Sequence, residues 1–461
     1  MKGRLVPVFL VLFVTQLAAY ITFMERFGGE ADDRAYDVIQ LSDGGYVFVG
    51  ETESYGSGQL DLWVVRTDSL GTILWDKTAG GGYDDCGYSI AFSPDGGFVI
   101  AGKTASFGSG YDDVYLVKLS AGGQILWEKV YGGESYDEAR CIKAVPDGGY
   151  IVAGRTKSFG AGYYDVYLLR LNENGDTLWT KTFGGDNNDE AYCVEVTDDG
   201  GFVVAGKTAS VGSPGSNVLL LKVSSSGVGE WMEAYGDINW DEGYSVVQTE
   251  DGGFLVAGKT LSSETGSFDM YLVRTNSEGD SLWARTIGGS GDDEAWCLRK
   301  IGDENYILTG GSRGGEDFQA VLYMLDSAGN TVWSRDYGGP LDDEGFSVLS
   351  TADGGFMIAG KSARNGGGDD AFLVKTDPDG IVKVEEKPLP PGLGLRTLTA
   401  FPNPFGGSCL LSPKGPLFRI YDLGGKLVYR GYGPEVGVGL KPGVYFVMAP
   451  GYAPLMITKL K

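Results

Sequence analysis

The fold is decided by Asp147-Gly148-Gly149-Tyr150-Ile151-Val152-Ala153-Gly154-Arg155-Thr156, followed by Asp165-Val166-Tyr167-Leu168-Leu169-Arg170-Leu171 and then Gly175-Asp176-Thr177-Leu178-Trp179. The Gly-Gly pair tolerates the positive φ of a tight hairpin. It joins a strand over Ala139–Ala144 to a second over Tyr150–Gly154. Asp165–Leu171 reads as a third strand, and Gly175 turns the chain into a fourth that carries Trp179. Outward from this stretch the pattern repeats. Asp-Gly-Gly begins at Asp43, Asp95, Asp147, Asp199, Asp251 and Asp353, with a decayed copy Asp303-Glu304-Asn305. Trp75, Trp127, Trp179, Trp231, Trp283 and Trp333 keep the same rhythm. Four short strands per unit of about 52 residues, repeated in tandem, describe the blades of a β-propeller. No stretch sustains the apolar periodicity of a helix, which excludes helical solenoids.

The count is seven. Phe23-Met24-Glu25-Arg26-Phe27-Gly28-Gly29 matches Trp127-Glu128-Lys129-Val130-Tyr131-Gly132-Gly133, so the mature N-terminus is a fourth strand with no blade of its own. The last unit has only a faint fourth strand, Ile381–Glu385, with Val384 in place of the tryptophan. The N-terminal strand is therefore expected to complete the seventh blade and hide two strand edges. The fold class is all-β: a seven-bladed propeller of four-stranded blades followed by a small β-sandwich.

Residues 1–19 read as a signal peptide, with Lys2 and Arg4, an apolar run from Leu5, and Leu17-Ala18-Ala19 before Tyr20. The apolar run, about 15 residues, is short for a stable transmembrane segment, which needs about 20. Residues 20–387 form the propeller, 388–398 a linker stiffened by Pro388, Pro390 and Pro391, and 399–461 a second domain. Residues 388–461 hold eight Lys/Arg and two Asp/Glu, leaving 27 basic and 60 acidic residues to the propeller. The whole chain carries −25, which excludes a nucleic-acid partner, and it contains no histidine. That removes Ser-His-Asp and Cys-His machinery and His-ligated metals. The five cysteines, an odd number, argue against a full disulfide framework.

Most recurring residues suit scaffold roles. The tryptophans are expected to pack between blades, and Cys141, Cys193 and Cys297 to be small buried groups on innermost strands. Lys103, Arg155, Lys207, Lys259 and Lys361 lack the glycine and helix of a phosphate loop and are expected to pair with acids across strands. Asp33, Asp85, Asp137, Asp189, Asp241, Asp293 and Asp343 stand once per unit before the innermost strand. They are read first as caps on the preceding Gly-Gly turns, and second as a ligand-binding acidic ring at the channel mouth. Clustered carboxylates suit Ca²⁺, although no Asp-x-Asp-x-Asp-Gly loop is present and no metal ligands or cofactor are assigned. The loops between second and third strands share that face and carry Tyr55, Phe107, Tyr111, Phe159, Tyr163, Tyr164 and Phe268. They suit a glycan or polymer, and equally suit packing on themselves.

In the tail, Phe401-Pro402-Asn403-Pro404-Phe405, Phe418–Val428, Leu440-Lys441-Pro442-Gly443-Val444-Tyr445-Phe446-Val447 and Met456-Ile457-Thr458-Lys459-Leu460-Lys461 follow one another in order. This tail resembles the C-terminal sorting domain of type IX secretion cargo, with Pro402, Asn403, Pro404, Gly443, Tyr445 and Lys459 in its motif. The same blocks also suit a flagellar-hook-like immunoglobulin tail. The sorting resemblance implies a small immunoglobulin-like sandwich, a type IX-like secretion machinery as partner, and delivery across the outer membrane to the cell surface or medium. The propeller resembles uncharacterised secreted bacterial propellers, which imply no settled activity. A fainter likeness to quinoprotein propellers covers only the Gly-x-x-x-Trp packing motif. The expected function is a secreted or cell-surface binding propeller for an extracellular glycan or protein, without catalysis. The alternative is an extracellular glycan-cleaving hydrolase using carboxylates on the long-loop face.

Overall fold

A computed structural model describes residues 20–261, 266–302, 305–315, 317–364 and 367–382; in the tail it describes 399–401, 409–412, 418–422, 427–431, 435–436, 440–448 and 455–459. The expected signal peptide lies outside the described residues. The chain divides after Val384 into two compact units.

The first unit is seven four-stranded antiparallel sheets, each a meander from an innermost to an outer strand. Blade three is representative, with strands Asp137–Ala144, Tyr150–Thr156, Asp165–Leu171 and Thr177–Phe183. Its second and third strands are apolar runs buried on both faces, because a neighbouring blade covers each side. The outer strand is half exposed. Innermost strands touch from blade to blade, and the first blade meets the last. The seventh blade takes Asp343–Ser350, Phe356–Ala363 and Asp369–Lys375 from one end of the propeller and Phe23–Phe27 from the other. Phe23 stands opposite Lys375 and Phe27 opposite Ala371, so the ring closes as the sequence predicts.

The recurring tryptophan joins each blade to the next. The turn before the following outer strand places a glycine beneath the ring. At Gly123 (φ +79°) an added Cβ would lie 2.9 Å from Trp75, so only glycine allows the approach. The same pair recurs as Gly175 under Trp127, Gly227 under Trp179, Gly279 under Trp231, Gly329 under Trp283 and Gly380 under Trp333. Trp179, Trp231 and Trp333 also meet Phe202, Phe254 and Phe356 at 5.8–6.1 Å. Phe23 takes the tryptophan's slot in the seventh blade, over Gly71 and against Tyr46.

The Asp-Gly-Gly turn has a second purpose that its glycines do not explain. Arg66, Lys118, Arg170, Lys222, Arg274 and Lys375 are buried on the third strands, and each reaches the turn aspartate of its own blade at 2.5–3.0 Å. The aspartate also accepts the N–H of the second glycine, as Asp251 does from Gly253. In blade six, where the turn has decayed to Asp303-Glu304-Asn305, Met324 replaces the cation. The cation goes where the two glycines of the turn go, although the sequence keeps Asp303. The Thr249 hydroxyl, Arg274 and the Gly253 N–H hold the Asp251 carboxyl down to about 2. At Asp199, partial burial works upward, but Lys222, Thr197 and the Gly201 N–H outweigh it and bring it to about 2.

The second unit contains a three-stranded sheet (Thr399–Phe401, Cys409–Ser412, Glu435–Val436) and a four-stranded one (Leu427–Gly431, Phe418–Asp422, Gly443–Met448, Leu455–Lys459). Gly443 opens a strand, Lys459 ends one, and the buried Tyr445 donates its hydroxyl to the Lys441 carbonyl at 2.7 Å. Pro402, Asn403 and Pro404 lie outside the described residues.

Replacing Asp251 with Ala strands the Arg274 guanidinium and is expected to cost about 2 kcal/mol in urea unfolding. Adding Arg274→Met, as in blade six, should recover at least half of that loss. Equal losses for the single and double variants would contradict the pairing.

Candidate functional site

The seven aspartates of the predicted acidic ring are almost completely buried, each serving its own blade. Asp33 accepts the Gly29 N–H at 2.8 Å and the Ser54 hydroxyl at 2.6 Å, and bonds the Thr52 hydroxyl. Asp85, Asp137, Asp189, Asp241, Asp293 and Asp343 accept the equivalent N–H of Gly81, Gly133, Gly185, Asp237, Gly289 and Gly339 at 2.6–3.1 Å. The capping role accounts for these contacts. Among the described residues no three His, Cys, Asp or Glu side chains form a group able to hold a metal.

A second row of carboxylates faces these caps from the neighbouring blade. Asp113, at the start of a third strand, lies beside Asp137, and both border the space that a side chain on Gly132 would fill. Burial pushes the Asp113 carboxyl up to about 6, with the Asp137 charge adding to it against the Ser109 N–H. Asp61, Asp165 and Asp269 are raised for the same leading reason, burial. Blade four carries Asn217 at this position, donating to Ser213 O at 2.8 Å.

The long-loop aromatics split in the same way. Tyr55, Phe107 and Phe159 pack on Trp63, Tyr115 and Tyr167 of their own blades at 5.6–5.9 Å. Tyr111 stacks on Tyr136 at 4.6 Å. Tyr163 is two-thirds exposed.

What opens to solvent on this face is a funnel of about 660 Å³ around the propeller axis. Every innermost strand has a bulge at the same place: the pairing register slips between Ala35 and Asp37, Gly87 and Ser89, Ala139 and Cys141, Ala191 and Cys193, Gly243 and Ser245, Ala295 and Cys297, and Gly345 and Ser347. The extra residue leaves the ladder and is re-aimed. Those residues are Tyr36, Tyr88, Arg140, Tyr192, Tyr244, Trp296 and Phe346, and all line the funnel. Six are aromatic. Their rings touch in series from Tyr192 to Tyr244, Trp296, Phe346, Tyr36 and Tyr88, with centroids 4.3–5.8 Å apart. Arg140 closes the circle with its guanidinium 4.4 Å over the Tyr88 ring.

A belt of ion pairs supports this ring. Glu138, Glu190, Glu242, Glu294 and Glu344 precede it by two residues, and the bases predicted to pair across strands stand opposite. Arg155 holds Glu138 at 2.8 Å and Glu190 at 3.0 Å; Lys207 holds Glu190 at 3.3 Å and Glu242 at 3.5 Å; Lys259 holds Glu294 at 3.0 Å. Lys361 pairs with Glu344 at 3.1 Å and Lys103 with Asp112 at 3.1 Å. Blade one reverses the polarity, with Arg34 on the first strand and Glu51 on the second, 2.9 Å apart. Blade six has Gly311 in place of the base. Burial works upward on Glu138, but Arg140 and Arg155 outweigh it and hold the carboxyl low. Burial dominates at Glu294, where Lys259 opposes it, and that carboxyl is raised.

Below the ring the channel narrows to Asp37, Ser89, Cys141, Cys193, Ser245, Cys297 and Ser347, the residues after each bulge. These bond from blade to blade: Ser89 and Ser347 donate to Asp37 at 3.1 and 2.8 Å, and the Ser245 hydroxyl to Leu298 O at 3.2 Å. Cys141, Cys193 and Cys297 are buried free thiols, in the place the sequence predicts. The opposite mouth holds a cavity of about 380 Å³, with Lys143 and Arg299 on its wall and Glu195 bridging the two cations.

The sequence reading passed over the bulge residues. Their signal is present: they stand three residues after each capping aspartate, aromatic in six repeats of seven.

A family model described as "Domain of unknown function (DUF5122) beta-propeller" matches residues 146–177. The chain is 27% identical over 213 residues to the regulatory protein FlaEY of Caulobacter vibrioides, a match covering 40% of this chain and 22% of that protein. The chain thus spans about a fifth of that relative's length. Among solved structures, Chaetomium thermophilum Sqt1 bound to the N-terminus of ribosomal protein L10 aligns at 10% identity with a TM-score of 0.44, covering 76% of this chain and 98% of that one. A protein of unknown function from Dyadobacter fermentans aligns at 12% identity with a TM-score of 0.44 and the same coverage.

The two sets of perturbed carboxylates act in opposite directions with pH. Asp199 and Asp251 are depressed, so their contribution is present above about pH 4 and lost as pH falls toward 2. Asp113 is raised, so its contribution is present below about pH 4 and lost as pH rises through 6. Thermal stability is therefore expected to peak near pH 4. Asp113→Asn, copying Asn217, should raise the melting temperature at pH 7 and leave it unchanged at pH 4. Equal effects at both pH values would contradict this assignment.

Proposed function

We propose that this chain is a secreted or cell-surface binding propeller that takes a protein or glycan ligand into the aromatic funnel of its long-loop face. One observation carries the reading: all seven innermost strands bulge at the same residue and direct six aromatic rings and one arginine into an open cavity. The other recurring features build the scaffold. The tryptophans pack blades together, the turn aspartates pair buried cations, and the acidic ring caps turns. A bulge repeated in seven blades lowers the regularity of each ladder and re-aims a side chain, as bulges near binding sites do. Aromatic anchors in a concave site are the residues that dominate recognition energetics. The glycan-cleaving alternative gains no support from the capping carboxylates, each of which is buried and engaged by the backbone N–H of its own turn. The tail is read as a β-sandwich sorting domain, and residues 1–19 as the export leader, on the sequence blocks quoted above.

Two experiments test this. The full chain, screened on glycan and peptide arrays, should yield ligands whose binding falls at least tenfold in a Tyr244→Ala/Trp296→Ala variant. Ligands that bind the variant undiminished would place recognition elsewhere. Deleting residues 388–461 in the native host should retain the propeller in the periplasm, and unchanged surface delivery would refute the sorting role.

A further inference from the structure

The belt flanking the aromatic ring has one missing link. In consecutive blades the base on the second strand reaches forward to the next blade's glutamate: Arg155 to Glu190, Lys207 to Glu242, and Lys259 to Glu294. The next link, from blade six to Glu344 of blade seven, has no base because Gly311 occupies its position. A Cβ built on Gly311 would meet Glu344 Cγ at 3.2 Å and Phe318 Cδ1 at 3.0 Å, so a side chain from this point would head for the same glutamate. Beside the break the ring carries Trp296 and Phe346, 5.8 Å apart. The indole N–H of Trp296 is buried and has no hydrogen-bond partner.

The opposite side of the same ring shows what such an environment holds. Arg140 lies with its guanidinium over Tyr88 and an Nη 2.7 Å from the belt carboxylate Glu138. An aromatic face and a belt glutamate together seat a guanidinium there. Trp296 and Phe346 with Glu344 offer the same two elements beside an open cavity. Glu344 is held by Lys361 of its own blade at 3.1 Å, and Lys259 stands 6.0 Å from the Trp296 ring. Among the described residues, however, no second-strand base of blade six reaches Glu344.

We propose that the funnel takes the arginine side chain of an extended basic peptide, its guanidinium resting against Trp296 and Phe346 and closing the broken link to Glu344. This deepens, and rests on, the reading of the funnel as the binding site. A guanidinium suits the place because it is weakly hydrated, planar and able to stack on aromatic faces while bonding a carboxylate. The 60 acidic residues of the propeller against 27 basic ones would attract a basic segment to the propeller as a whole. The funnel wall itself carries five bases and three acids, so the local contact with Glu344 and the rings has to supply the selectivity.

The test uses the full chain and fluorescein-labelled tetra-arginine, with tetra-citrulline as the neutral isostere, at about 0.15 M salt so that diffuse attraction is screened. Tetra-arginine should bind and tetra-citrulline should not. Gly311→Lys, which supplies the missing base internally, should weaken binding at least tenfold in protein that circular dichroism shows to be folded. Glu344→Gln, a change of charge without a change of size, should weaken it to a similar degree and covers the case in which Gly311→Lys does not fold. Failure of the wild type to prefer arginine over citrulline overturns the proposal, as does undiminished binding by a folded Gly311→Lys or by Glu344→Gln. If array ligands still depend on Tyr244 and Trp296 in that event, the funnel remains the binding site and only its ligand class is wrong.

Discussion

Everything in the propeller rests on an aromatic ring set on a glycine of the next blade. No blade can bury its own outer tryptophan: Trp75 needs Gly123, Trp127 needs Gly175, and so on around the ring. A chain of such dependencies leaves a debt at each end unless it closes. Closure comes from Phe23, which enters with the N-terminal strand, covers Gly71 and gives the seventh blade its fourth strand. A phenylalanine serves here because the slot asks for a ring over a turn and nothing more. Once the circle is closed, the innermost strands are fixed about one axis, and small changes in their ladders become changes in what the channel presents.

That is how the bulge acquires meaning. A side chain in a regular strand points to one face or the other, and in a blade both faces are covered by neighbouring blades. Only a residue that leaves the ladder can point along neither, and in each repeat the third residue after the capping aspartate does so. The belt then works as a frame: glutamates and bases alternate between blades, neutralise one another and flank the ring residues. Because the frame is nearly periodic, its departures stand out, namely the reversed pair Arg34 and Glu51 and the glycine at position 311.

The sequence made the fold legible because the fold is the repeat. The turn triplets, the six tryptophans and the displaced N-terminal strand determine blade count, strand count and closure, and the structure shows each of them. The capping aspartates were legible for the same reason, since a feature common to every copy serves the repeat before it serves a ligand. The pairing of Asp251 with Arg274 was less visible: the two are 23 residues apart, and the aspartate reads as part of the turn rather than as an ion-pair partner. The funnel was not seen at all. Tyr36, Tyr88 and Tyr192 lie in stretches of ordinary strand composition, and alternation alone assigns them to a covered face. A bulge is a backbone event with no composition of its own, so the positions that carry the site were hidden by the regularity that revealed the scaffold.

The most direct measurement of the central claim is a crystal structure of the full chain grown with guanidinium ion. The account predicts the seven bulge side chains converging on the axis and one ordered guanidinium between the Trp296 and Phe346 rings and the Glu344 carboxylate. Bulge residues turned away from the channel, or guanidinium found only on the outer acidic surface, would contradict it.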